Sequence, residues 1–187
     1  MANYKTLALS EEQYSTILNT IESGFLTSRP NPKVAAVLRL EANLGIRISD
    51  ILELTLDDIV YESGRYRLDI TEEKTGKKRE FTVPLEIVEY IRQYNKQNNI
   101  KDNEIIFPIT ERAVQKHLHK VCDYLGYERI STHSFRKFFA TSIYKDNDFD
   151  IVLVQKLLQH SSPETTQRYI GISQKQVEQA LSKHIRL

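Results

Sequence analysis

The sequence predicts a mainly α-helical fold with one small antiparallel β-hairpin or sheet inserted early, an α+β arrangement. Three observations predict it. Apolar residues recur at helical spacing through most of the chain, as at Ile17, Leu18 and Ile21, or Val34, Val37 and Leu38. Two short runs, residues 65–70 (RYRLDI) and 79–83 (REFTV), alternate in strand fashion instead. The segment between them, TEEKTGKK, holds Gly76 and a cluster of charges, the composition of a hairpin tip.

Taken in order, the first helix starts after Ser10. A serine followed three residues later by Gln13 is a capping box, and Ser23-Gly24 ends the helix. Pro30 and Pro32 punctuate a loop before a second helix over about residues 33–43. Gly45 then leads into a short helix near Ser49, with Asp50 in its first turn. After the hairpin, Pro84 opens a helix reaching about residue 97, and Ile105–Pro108 makes an apolar connector. Helices are expected over 110–125, 134–145, 150–158, 163–169 and 173–184. The chain shows no internal repeat, low-complexity tract or long linker, so residues 1–187 are expected to form a single domain.

Composition narrows the function classes. The 187 residues are 40% hydrophobic and 27% charged, ordinary for a globular protein. A lone cysteine, Cys122, excludes an internal disulfide framework and fits a reducing compartment. No apolar run approaches the roughly 20 residues needed to span a bilayer, and the first residues lack a signal-peptide core. A cytoplasmic protein without a membrane partner is expected. The net charge of +1 argues against a broad, sequence-independent grip on nucleic acid, although KTGKKR at 74–79 is a local basic cluster.

The chemistry concentrates between Thr132 and Tyr169. His133 and Arg136 lie three apart on an expected helix and so share a face. Ser131 or Thr132 can cap that helix, placing an anion-friendly N-terminus near His133. His160 follows the amphipathic pattern of Val154, Leu157 and Leu158, and Tyr169 follows in TTQRYIGIS. Two histidines, an arginine and a tyrosine converging on one point can bind a phosphate, move protons and attack it. Each has a bland alternative when taken alone: a packed histidine, a helix-terminal histidine, one of ten tyrosines. His117 and His119 form an H-x-H pair, but no carboxylate or thiol cluster accompanies them and residues two apart on a helix face different ways, so no metal is assigned.

The order H-x-x-R, Leu-Gln-His-Ser-Ser, then Thr-Thr-x-x-Tyr resembles the C-terminal catalytic box of the tyrosine recombinases, the phage integrase family. Gly45-Ile-Arg-Ile-Ser-Asp, followed by Leu-x-Leu-x-x-x-Asp-Ile, resembles that family's first arginine motif and singles out Arg47. The family carries a catalytic lysine on a β-hairpin in a Lys-Thr-Gly-Lys context, which points to Lys74, with Lys77 as the alternative. The resemblance covers about residues 9–181 and supplies six positions in the family's order: Arg47, Lys74, His133, Arg136, His160 and Tyr169. It implies the tyrosine recombinase catalytic-domain fold.

It also implies a reaction that these residue types suit. Attack of a phenol on a DNA phosphodiester concentrates negative charge on the non-bridging oxygens, which arginines can hold by charge-assisted hydrogen bonds. Arg47 and Arg136 fit that role, with His160 as a further donor. A phenol has a reference pKa near 10, so Tyr169 needs a base, and His133 can serve. The departing 5′-oxygen needs a proton, which Lys74 can give. The product is a 3′-phosphotyrosyl enzyme and a free 5′-hydroxyl, and reversal on another strand needs neither cofactor nor metal. The implied partners are double-stranded DNA and further copies of the chain, assembled as a tetrameric synapse through residues 173–187, and the implied location is the nucleoid. Most members of the family carry a separate N-terminal DNA-embracing domain; the resemblance begins almost at the first catalytic-domain helix, so either a fragment of a larger recombinase or a short single-domain relative is expected. Two alternatives use the same pocket or fold: a type IB topoisomerase-like activity, and a DNA-binding regulator without catalysis.

Overall fold

The computed structural model describes residues 6–74, 76–160, 162–170 and 182. The chain divides into two compact units, Met1–Phe139 and Ala140–Leu187. In the first, α1 (Glu11–Ser23) is closed by the expected capping box: the Gln13 amide donates to Ser10 Oγ at 3.1 Å and the Ser10 amide to Gln13 Oε1 at 3.0 Å. Ile17, Leu18 and Ile21 are its buried face. Asn31 caps α2 (Pro32–Leu44), and Pro32 occupies the helix start, where its missing N–H costs nothing.

The second helix is buried on most of its circumference, so the first unit's core is built around it. It packs against α1 and α3 (Ile48–Leu52), while α5 (Glu111–Leu125) packs on α1. Gly45 ends α2 in the left-handed conformation at φ 60°, its N–H donating to the Glu41 carbonyl at 3.1 Å. A Cβ there would also lie 2.2 Å from the Phe139 ring, so position 45 excludes side chains twice over.

A 3-10 turn, Leu56–Asp58, leads into a three-stranded antiparallel sheet in the order β1-β2-β3. The strands are β1 (Ile59–Glu62), β2 (Arg65–Thr71) and β3 (Lys78–Val83), with Leu68 paired to Ile59 on one side and Phe81 on the other. The expected hairpin is β2–β3; β1 extends it. That strand has four residues, and its apolar Val60 and Tyr61 are exposed, so its sequence shows no alternation. Its turn is legible in retrospect: Ser63 and Gly64 both have positive φ, as a two-residue hairpin turn requires. The connection to α4 (Leu85–Asn98) runs through Pro84.

Helix α6 (Thr132–Asp146) has residues on both sides of the division. In the second unit, α7 (Ile151–Leu158) is capped by Asp150, whose carboxylate accepts from Val152 N at 2.8 Å and Leu153 N at 3.0 Å. It packs on α8 (Pro163–Ile170). The helix expected over 173–184 lies outside the described residues, apart from Ser182.

Candidate active site

Arg47 stands where α2 has ended and α3 has not begun. Gly45 turns the chain, and Arg47 is the extended N-cap residue of α3, so its side chain escapes the packing of both helices. It is partly exposed and forms an ion pair with Glu72, a residue the sequence reading had not singled out. Glu72 is 1% exposed, and its other oxygen accepts from Arg79 Nη1 at 2.9 Å. Arg79 is equally buried and donates through Nη2 to the Gly45 carbonyl at 3.3 Å. Burial, followed by the nearby charge of Arg136, pushes the Arg79 guanidinium down to about 10, while Glu72 opposes the shift. Arg79 therefore stays charged at neutral pH.

Lys74 occupies the exposed turn between β2 and β3. That turn is closed by the Glu72 amide donating to the Lys77 carbonyl at 3.0 Å and the Gly76 amide to the Glu72 carbonyl at 2.8 Å. Asp50, buried in α3, accepts from the Glu73 amide at 3.1 Å. Both shoulders of the Lys74 turn are thus fastened to the stretch from Gly45 to Asp50. Lys77 shares the exposed turn.

His133 and Arg136 lie on the first turns of α6, anchored by the core residue Phe135 between them. Arg136 is buried, whereas His133 keeps an exposed face. Partial burial of the ring, then the charges of Arg136, Lys137, Arg47 and Lys74, hold the His133 pKa below its ordinary 6.5. The imidazole is accordingly neutral at neutral pH and able to accept a proton. The first unit therefore brings Arg47, Lys74 and Arg136 within electrostatic reach of His133. Lys137 is tied down separately, donating to the Thr6 carbonyl at 2.6 Å. Behind Arg136 sits Glu41, fully buried in α2, whose carboxyl burial pushes well above its usual range against the pull of Arg136.

His160 and Tyr169 belong to the second unit and meet each other there. Gln159 takes a left-handed conformation at the end of α7, and the His160 amide donates to the Gln155 carbonyl at 3.1 Å. The Gln155 side chain donates back to the His160 carbonyl at 3.2 Å. His160 Nδ1 lies 3.0 Å from Thr166 Oγ1, and Thr166 is completely buried. The His160 and Tyr169 rings approach edge to face, 5.2 Å between centroids. His119 pairs instead with Asp123 at 3.0 Å, and His117 packs on Phe25.

Sequence reasoning missed Glu72 and Arg79 and gave Thr166 no role. A signal for Arg79 existed. Residues 79, 81 and 83 share one face of β3, and an arginine on a face with Phe81 and Val83 requires a buried carboxylate partner.

Known proteins are similar to this chain over most of its length. A model described as the phage integrase family matches residues 8–176. The probable integrase/recombinase YoeC of Bacillus subtilis is 36% identical over 139 residues, covering 71% of this chain and 74% of that protein. Tyrosine recombinase XerC of Caldanaerobacter subterraneus is 28% identical over 187 residues, covering 94% of this chain and 50% of the relative. Among solved structures, the XerH site-specific recombinase in a post-cleavage complex with its difH substrate superposes with a TM-score of 0.71 at 23% identity, over 96% of this chain and 54% of that one. The chain thus spans about half the length of these XerC and XerH chains. With the arginine loop, the hairpin, the H-x-x-R helix and the histidine–tyrosine pair all within the matched span, the chain belongs to the phage integrase family.

Proposed function

We propose that this chain is the catalytic domain of a site-specific DNA recombinase or integrase that cuts and rejoins double-stranded DNA through Tyr169. The observation that carries the reading is the pairing of a cationic cluster with a neutral base: burial first, then the charges of Arg136, Lys137, Arg47 and Lys74, hold the His133 pKa down. Such a cluster suits a substrate that is anionic and becomes more so in the transition state. The reading rests equally on family membership.

In this mechanism Arg47 and Arg136 hold the non-bridging oxygens of the scissile phosphate. The Tyr169 oxygen forms a bond to phosphorus as His133 takes the phenolic proton, and the bond from phosphorus to the 5′-oxygen breaks. Lys74 protonates the departing oxygen. Thr166 holds His160 through Nδ1. In the tautomer whose Nδ1 accepts from the Thr166 hydroxyl, Nε2 carries the ring proton and donates it in a hydrogen bond to the phosphate oxygens. A 5′-hydroxyl from a second strand reverses the step. The phosphoester energy is conserved in the phosphotyrosyl bond, so the chemistry balances without a nucleotide or a metal.

A nicked duplex carrying the recombination site, cut so that the short 5′-hydroxyl fragment diffuses away, tests this reading. The protein is expected to form a denaturant-stable adduct with it and Tyr169→Phe to form none. An adduct of equal yield in the variant would refute the assignment. We further propose that copies of the chain assemble on DNA as a tetramer through residues 173–187, within a cytoplasmic nucleoid. Truncation after Gly171 is expected to abolish the higher-order complex while leaving the first DNA-bound species, as read by native gel or light scattering. Unchanged assembly would dismiss that role.

A further inference from the structure

Glu72 lies on none of the six positions that carry the recombinase reading, yet it is the structural junction between two of them. Its carboxylate pairs with Arg47 through one oxygen and with Arg79 at 2.9 Å through the other, and all but 1% of it is buried. Arg79 in turn binds the Gly45 carbonyl, two residues before Arg47. The Glu72 main chain closes the turn that bears Lys74, through its amide to Lys77 and its carbonyl from Gly76. One residue later, the Glu73 amide is held by Asp50.

We propose that Glu72 is a positioning residue for leaving-group protonation: its buried carboxylate bolts the Lys74 turn to the Arg47 loop, so that the phosphate's anchor and its proton donor move as one body. The inference rests on the recombinase reading above. The geometry requires a carboxylate here. Two arginines converge on the site from different elements, and a buried charge-assisted pair to each leaves one rigid arrangement. A hairpin tip held only by its own turn would let a lysine wander. Displacement of a catalytic group by about 1 Å costs about 100-fold in rate.

The test exploits the leaving group. Glu72→Gln keeps the side chain's shape and removes its charge. Because it removes the carboxylate that pairs with buried Arg79, a double variant E72Q/R79Q, which removes both charges of that pair, is measured beside it. Thermal melting establishes that the protein measured is folded. Adduct formation is then timed on two nicked duplexes, one with the ordinary scissile phosphodiester and one with sulfur in place of the bridging 5′-oxygen. A thiolate leaves without a proton, because a thiol ionises near pH 8.5.

The expected result is a loss of about 100-fold on the phosphodiester and recovery to within about tenfold of the parent protein on the sulfur-bridged duplex, with Lys74→Ala showing the same signature. Parent-like cleavage of the phosphodiester by the folded variants would overturn the proposal. So would an equal loss on both duplexes, which marks a residue that only supports the fold or Arg47. Failure of the sulfur bridge to rescue Lys74→Ala would remove the route through which Glu72 acts and overturn it as well. Failure of the parent protein to form an adduct on either duplex would instead refute the recombinase reading itself.

Discussion

At the scale of single residues, the proposed chemistry depends on His133 remaining a base. Its surroundings are burial plus four cations, and both disfavour the imidazolium. The sign follows directly. A histidine whose folded pKa lies below 6.5 stays neutral as the pH falls through 6.5 and gains its proton only at lower pH. The rate of adduct formation is therefore expected to be flat through neutrality and to decline along an acid limb whose midpoint lies below 6.5. Replacing Lys137 with methionine removes one of those charges and is expected to move the midpoint up toward 6.5. A limb centred above 6.5, or one indifferent to Lys137, would show that another group titrates. At this scale the sequence was most informative about residues with unusual chemistry: histidine, tyrosine and an arginine beside a glycine. It was least informative about Glu72 and Arg79, because a glutamate in TEEKTGKK has the wording of a solvated turn. Only the register of β3 turns Arg79 inward and draws Glu72 after it.

At the scale of elements, the arginine loop is made possible by the end of α2. Gly45 combines a φ of 60° with a close approach to Phe139. Gly45→Ala is expected to lose about 1–2 kcal/mol to the left-handed backbone and a further ~1–3 kcal/mol to overpacking against the ring. A denaturation midpoint would read that loss, and adduct formation should fall with it, since Arg47 is two residues on. A midpoint equal to the parent's would contradict the packing described here. The helices were legible because apolar periodicity marks them and, at α1, the Ser10–Gln13 capping box agrees with it, whereas the caps Asn31 and Asp150 are visible only in the structure. The strand β1 was not. Four residues with exposed Val60 and Tyr61 carry no periodic signal, and only pairing with β2 defines them.

At the scale of the whole molecule, the described residues form two compact units, each with a coherent share of the proposed chemistry. The first holds the cations and the base. The second holds the histidine–tyrosine pair, oriented by the buried Thr166 and the Gln155–His160 exchange. Among the described residues, no helix is long and apolar enough to cross a membrane. The family match over residues 8–176 spans both units. The order of the six positions made this legible from sequence, since each has an ordinary explanation alone and only their succession does not. The central claim is that DNA becomes joined to Tyr169. It is tested most directly by digesting the trapped adduct with nuclease and trypsin and locating the nucleotide by mass spectrometry. The account predicts a phosphate-linked nucleotide on the peptide that begins at Tyr169. A nucleotide on any other residue, or an unmodified Tyr169 peptide from a confirmed adduct, would contradict it.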